Sequence, residues 1–150
     1  MEQTFDLSRF TDAQRRSYPT ALQEIRSGRK RSHWMWYIFP QLRGLGRSST
    51  AEYYGIQSLD EAAAFLAHPV LGANLREISG ALLALEGDNP TEIFGWPDDL
   101  KLRSSMTLFA AVSPEDSVFH RVLDKYYGGR PDELTMLRLE RRGPENGFCV

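Results

Sequence analysis

Helix-start signals recur along this chain, and they constrain its fold more than any other feature. Ser58, Asn89 and Ser113 are each followed three residues later by an acidic residue. In that arrangement the capping side chain bonds a backbone NH of the first turn, and the acid interacts favourably with the helix dipole. Pro90 and Pro114 follow two of these caps, where a helix tolerates a missing NH. The chain is therefore predicted to consist of short helices.

Apolar residues between these signals recur at helical spacing. The longest stripe lies in residues 69–85 and advances by four, three, four and three positions through Leu71, Leu75, Ile78, Leu82 and Leu85. We expect this segment to be the central core helix. A first helix, opened by Thr11 and ending near Gly28, contains Pro19, which predicts either a kink or a later start near Ser17.

Further helices are expected over residues 32–39, from residue 50, and over residues 58–68, 97–112, 113–127 and 131–140. No segment alternates apolar and polar residues as a half-buried strand would, and no linker is long enough to divide domains. The sequence thus predicts an all-α fold, a compact single-domain bundle of about seven to nine short capped helices over residues 1–150, with no significant sheet. A chain of this size buries roughly two thirds of its unfolded surface.

Cysteine content and hydropathy limit the compartment and the cofactors. The only cysteine, Cys149, cannot form an intramolecular disulfide, which favours a reducing compartment. The first residues lack a signal-peptide pattern, and the longest apolar run, residues 34–40, is far shorter than a membrane-spanning helix. We expect a cytoplasmic protein without a membrane segment. His33, His68 and His120 lack metal-ligand spacing, so neither a metal nor a cofactor is predicted.

Positive charge is concentrated in one segment. Six of the 18 Lys and Arg residues lie within residues 26–47, and no Asp or Glu occurs from residue 25 to residue 51. Because the remainder of the chain has a net charge of −8, any attraction for anions is local to this segment. The acidic remainder disfavours nucleic acid as a partner, since it would repel the phosphate backbone.

The same segment contains six consecutive large apolar residues, 34–39, which leave no polar face on a short helix. This run is expected to be enclosed on several sides. In one interpretation it fills the core, and its indole and imidazole groups find internal partners. In the other, His33, Trp36 and Tyr37 share a helix face and form the wall of a pocket flanked by arginines.

A glycine-containing loop follows and leads into a predicted helix start. It supplies further candidate ligand contacts, which are Gln41, Arg43, Gly44, Gly46, Arg47 and Ser48. Backbone NH groups there can bind a phosphate or carboxylate, and the two arginines add charge. The loop matches neither the dinucleotide nor the nucleoside-triphosphate fingerprint, and an ordinary glycine loop before a helix cap is the alternative.

A second polar face lies on the helix predicted over residues 97–112. Lys101, Ser104 and Ser105 fall on one side of it, where a lysine could deprotonate a serine one turn away. A hydrogen-bonded polar stripe is the simpler interpretation, because no His or Asp is placed to complete a relay. These three residues are kept as possible additional contacts to the ligand from a second helix face. No catalytic residue is assigned.

The run KRSHWMWYIFPQL at residues 30–42, with GLGRS at residues 44–48, resembles the hallmark of a bacterial family catalogued as domain of unknown function 1810. The resemblance continues through residues 68–72, 99–109 and 129–135, while Pro19 departs from the pattern. It implies a small, mainly α-helical protein with no established activity. Some relatives carry the label calpastatin, the name of an unstructured protease inhibitor, which a helix-capped chain with 11% aromatic residues does not resemble.

Two functions remain open. The first is binding of a small anionic ligand, phosphate-bearing or nucleotide-like, whose ring stacks on the aromatic wall while Arg43 and Arg47 hold the phosphate. The second is a helical protein–protein interaction module that uses the same basic and aromatic segment to bind an acidic protein partner. A concave, partly buried pair of Trp34 and Trp36 would indicate a ligand, and a flat exposed patch would indicate a partner. The residues identify no reaction.

Overall fold

The computed structural model describes residues 5–142. In this part of the chain the helices are α1 (Ser8–Arg26), α2 (Met35–Ile38), α3 (Ser49–Tyr54), α4 (Leu59–Ala67), α5 (Leu71–Ala84), α6 (Pro90–Phe94), α7 (Asp98–Ala110), α8 (Val118–Tyr127) and α9 (Glu133–Arg142). No strand occurs among these residues, and a single parallel bridge joins Leu42 to Ile56. The predicted all-α bundle is confirmed. None of the described helices is both long and apolar enough to cross a membrane.

The predicted apolar stripe of α5 is buried. Four of its five side chains are at most 1% exposed, namely Leu71, Leu75, Ile78 and Leu82. The helix packs against α1, α4 and α8, so the stripe forms a large part of the core. At its carboxyl end, Lys125 of α8 donates hydrogen bonds to backbone carbonyls of residues 82, 83 and 85. These are carbonyls that a helix end leaves unpaired, and a cation there also suits the dipole.

The most enclosed helix is α7 rather than α5, contrary to the sequence-based expectation. Residues 104–110 are all buried, and α7 packs against α4, α6, α8 and α9. The sequence did not predict this degree of burial, because polar residues such as Ser104 and Thr107 are typical of a solvent-exposed helix face. In the structure each of their hydroxyls donates to the backbone carbonyl four residues earlier, at 3.2 and 2.8 Å. Small polar side chains can enter a core when the helix itself satisfies them.

Two of the three predicted caps are confirmed, because Ser58 and Asn89 accept first-turn NH groups of α4 and α6. The third is wrong. Ser113 donates its hydroxyl to a carbonyl in the last turn of α7, and Ser117 caps α8 instead. The last predicted helix is found at residues 133–142.

Helix α1 differs from its prediction at its start. It begins at Ser8, before Thr11, and continues through Pro19, so a start near Ser17 is wrong. Pro19 is exposed, and solvent can satisfy the carbonyl that loses its helical NH partner.

Candidate functional site

The aromatic segment of the predicted site is held in place by Glu24, a residue of α1 that is 7% exposed. Its Oε1 accepts the backbone NH groups of Arg31 and Ser32 and the indole NH of Trp34, at 2.7, 3.0 and 2.9 Å. Its Oε2 accepts the Ser32 hydroxyl at 2.6 Å. Burial raises the pKa of Glu24, but the hydrogen bonds outweigh burial and lower the pKa to about 2. The carboxylate therefore stays charged and fixes the start of this segment.

Trp34 and Trp36 have different environments. Trp34 is 1% exposed, and its ring packs against Phe39 and Phe94 with centroids 6.1 and 6.4 Å away. Trp36 is half-buried and borders a surface recess. Trp34 thus fits the core interpretation and Trp36 the wall interpretation. The helix that contains Trp36, α2, spans residues 35–38 and is shorter than the predicted helix over residues 32–39.

The recess beside Trp36 is formed by α2, the loop after it, α3 and α7. Its lining consists of Met35, Trp36, Phe39, Gln41, Ala51, Tyr54, Gly55 and Lys101. The enclosed space is about 10 Å³, close to the smallest volume that holds one water molecule. Among residues 5–142, no acidic residue lines it. The recess can therefore admit one small polar group, such as a single oxygen.

Lys101 brings a positive charge to this recess. Its ammonium nitrogen lies 5.2 Å from the centroid of the Trp36 ring and 3.3 Å from Asp98 Oδ1. Asp98 Oδ2 also pairs with the Lys30 ammonium at 2.9 Å, and Lys30 lies over the Trp34 ring. One carboxylate thus faces two ammonium groups, which leaves one positive charge in excess at this edge.

Gly46 connects the recess to the glycine loop. A β-carbon at Gly46 would lie 3.3 Å from Gln41 Nε2 and 2.6 Å from the β-carbon of Ala51. Both neighbours line the recess, so Gly46 packs beside two of its lining residues. The structure therefore brings three predicted site residues to the recess, which are Trp36, Gln41 and Lys101.

Tyr37 and His33 do not line this recess. Tyr37 packs against the Tyr54 ring at 5.3 Å, and its hydroxyl bonds to the Ser17 hydroxyl at 2.8 Å. It therefore supports Tyr54, which forms part of the wall. His33 is exposed and precedes α2, so it does not share a helix face with Trp36 as the sequence suggested.

Three loop residues also lie outside the recess. Arg43 lines a separate polar groove of about 560 Å³ together with Arg9 and Glu61, which pair at 3.0 Å. Arg47 is exposed. Ser48 is occupied as the cap of α3, where its hydroxyl accepts a backbone NH at 3.0 Å. The glycine loop thus includes the ordinary helix cap that was the alternative interpretation.

Of the predicted second face, Lys101 alone reaches the recess. Ser104 and Ser105 are buried within α7, at 7% and 0% exposure. Ser105 Oγ has no hydrogen-bond partner in the described part of the chain. No base is therefore placed against this hydroxyl, and the geometry gives no support to a serine nucleophile.

Sequence reasoning missed Arg138, a residue of α9 that lies against the loop. A β-carbon at Gly44 would be 2.6 Å from Arg138 Nη1 and 2.8 Å from its Cζ. Gly44 also has a φ of +101°, which side-chain-bearing residues rarely adopt. The positive φ could be suspected from the glycine itself, but no local pattern connects it with a helix near the other end of the chain.

Comparison with known proteins assigns the family. The sequence profile of a family described as protein of unknown function (DUF1810) matches residues 4–139. The chain belongs to this family. The DUF1810 chain is also similar to the crystal structure of a conserved hypothetical protein from Mycobacterium tuberculosis, with 52% identity and a TM-score of 0.88 over 91% of this chain and 97% of that one. No curated protein matches the chain.

The family resemblance expected from the sequence is thus confirmed, and neither comparison names a ligand for a DUF1810 protein. Within residues 5–142, no group of three or more His, Cys, Asp or Glu side chains is arranged to hold a metal ion. The polar and aromatic groups that line the recess are the Lys101 ammonium, the Gln41 amide and the rings of Trp36, Phe39 and Tyr54.

Proposed function

We propose that this protein binds a small anionic ligand, bearing a phosphate or carboxylate, at the recess formed by Trp36, Gln41 and Lys101. One observation carries the proposal. Residues from two distant parts of the sequence, each a candidate ligand contact, line one recess, and none of its described lining residues is acidic. Such a convergence of an apolar wall and a few polar groups is typical of ligand sites.

Each of these residues has a distinct role in binding. The Lys101 ammonium has three NH donors, of which Asp98 engages one, so donors remain for an anion. The Gln41 amide adds uncharged donors beside it. The rings of Trp36 and Tyr54 provide flat apolar surface for a ring attached to the anion.

The volume of the recess limits how the ligand enters. Because the space is about that of one water molecule, one oxygen of the anion would replace that water. The rest of the ligand would lie on the rim, next to residues 44–48. The ligand is therefore held by one inserted oxygen and by surface contacts, rather than enclosed as a whole.

The alternative, a helical module that binds an acidic protein partner through the same segment, has less support. Trp34 is buried, and Trp36 is half-buried at a concave surface. A flat exposed aromatic patch, the feature expected for a protein partner, is not what these two residues form.

A differential thermal-shift experiment tests the proposal. Sulfate or phosphate should raise the melting temperature of the wild type more than chloride does at matched ionic strength, because a ligand of the native state stabilises it. Lys101→Met should remove that difference. Sulfate also stabilises proteins by exclusion from their surface, so only the difference between variants is informative.

The matched control is Arg121→Met, which removes one positive charge from an exposed position on α8, a helix that contributes nothing to the recess. This control should keep the full anion response. A Lys101→Met protein that responds to sulfate like the wild type would refute the proposal.

A further inference from the structure

Two arginines near the glycine loop have no carboxylate partner within residues 5–142. In the described part of the chain, neither Arg47 nor Arg138 takes part in an ion pair or a side-chain hydrogen bond. Arg138 is half-buried against Gly44, whereas Arg47 is exposed. A guanidinium does not deprotonate, so a half-buried one keeps its charge while losing part of its hydration. An anion bound there would replace the lost hydration.

Arg138 is held in position by the packing of α9. Thr135 and Leu139, three residues before it and one after, lie on the side of α9 that packs towards the core. The guanidinium itself covers the backbone of Gly44. The packing of α9 thus fixes the backbone that carries Arg138, and an anion bound there would order only the side chain.

The loop that Arg138 contacts, and to which Arg47 belongs, lies close to the recess. Gly44 is two residues from Gly46, so their α-carbons are separated by at most about 7 Å. Gly46 in turn contacts Gln41 and Ala51, which line the recess. A ligand that binds Lys101 and extends over this loop would meet the guanidinium of Arg138, which α9 places against Gly44.

We infer that Arg138 and Arg47 complete the ligand site and that its ligand carries a dianionic phosphomonoester group rather than a single carboxylate. This inference rests on the proposed function. The excess charge from Lys30, Lys101 and Asp98 is one, and the two arginines raise it to three, which matches a dianion better than a monoanion. The planar guanidinium of Arg138 can also bind two phosphate oxygens at once.

Titrations followed by thermal shift test this assignment, with phenyl phosphate, inorganic phosphate and benzoate as probes at matched ionic strength. For the wild type, the half-maximal shift should occur at a lower concentration of phenyl phosphate than of benzoate. Arg138→Leu should raise the phenyl phosphate concentration needed by about tenfold or more, the effect of losing a charge-assisted bond. The benzoate concentration at the half-maximal shift should change much less in this variant. Arg138→Lys keeps the charge but loses the bidentate geometry. The phenyl phosphate concentration that it needs should lie between those of the wild type and Arg138→Leu.

The controls separate this inference from the proposed function. If Lys101→Met abolishes the response and Arg138→Leu leaves it intact, the recess binds anions but Arg138 takes no part, and the inference is wrong. If neither variant changes the response, both the proposed function and the inference about Arg138 are wrong. If Arg121→Leu weakens phosphate binding as much as Arg138→Leu does, the effect is one of net charge, and the inference is also wrong. Because Arg138→Leu can loosen α9, the ligand-induced shift is compared rather than the melting temperature itself.

Discussion

Replacing Glu24 tests how the aromatic segment is held. Its pKa is lowered from the usual 4.5 to about 2, and a shift of this size corresponds to about 3 kcal/mol of native-state stability at neutral pH. Because the folded pKa lies below the unfolded one, this stabilisation is fully present above about pH 4.5. It declines as the pH falls towards 2 and is lost below that value.

Two substitutions separate the charge of Glu24 from its hydrogen bonds. In Glu24→Gln, an amide oxygen in the place of Oε1 still accepts three NH groups, and the amide NH₂ can donate to the Ser32 hydroxyl. The variant thus resembles the protein with Glu24 protonated. We expect its free energy of unfolding at pH 7 to be about 3 kcal/mol lower than that of the wild type. Glu24→Ala should lose more, because it leaves buried donors such as the Trp34 indole unpaired, at about 1–3 kcal/mol each.

The assay is urea unfolding of the wild type and Glu24→Gln at pH 7 and pH 3. The difference between their unfolding free energies should be about 3 kcal/mol at pH 7 and less than half of that at pH 3. Contributions from all other carboxylates cancel in this difference. A difference below about 1 kcal/mol at pH 7, or one that does not decrease at pH 3, would show that the charge of Glu24 does not stabilise the aromatic segment.

Three further substitutions test the fold and the loop. Leu75→Ala should cost about 2–5 kcal/mol in chemical denaturation because its side chain is 1% exposed, and a loss below about 0.5 kcal/mol would contradict its core position. His68→Ala should lower the free energy of unfolding by about 1 kcal/mol, because His68 Nδ1 accepts two backbone NH groups at the start of α5. His68→Asn should retain most of that stability, and equal losses in the two variants would show that His68 does not cap α5. Gly44→Ala should be destabilising, and less so in an Arg138→Ala background, where only the positive φ remains unfavourable. Equal penalties in a double-mutant cycle would show that the two residues do not contact each other.

The features predicted well from the sequence are those that depend on neighbouring residues. A cap such as Ser58 acts on an NH three residues away, and the α5 stripe is set by helical spacing alone. The start of α8 was mispredicted because Ser113 and Ser117 are both suitable caps. The choice between them depends on where α7 ends, and Ser113 bonds back to that helix.

The site was predicted only in part, for the same reason. Trp36 and Gln41 stand out in the sequence because they belong to one unusual aromatic and basic segment. Lys101 was found as a separate polar face, and nothing local indicated that it faces Trp36. The acid-free segment is also not acid-free in space, because Asp98 from α7 pairs with Lys30. Contacts between distant helices decide which charges of the segment remain unpaired.

Asp98 connects the surroundings of Trp34 and Trp36. It lies between Lys30 and Lys101, at 2.9 and 3.3 Å, and each ammonium lies over one indole ring. Without this carboxylate the two ammonium groups would repel each other, and neither would be held over its ring. These side chains are 10–28% exposed, so solvent and salt screen their attraction less than at an open surface. The cluster therefore covers Trp34 within the core and keeps a cation over the Trp36 ring, where we propose that an anionic ligand binds.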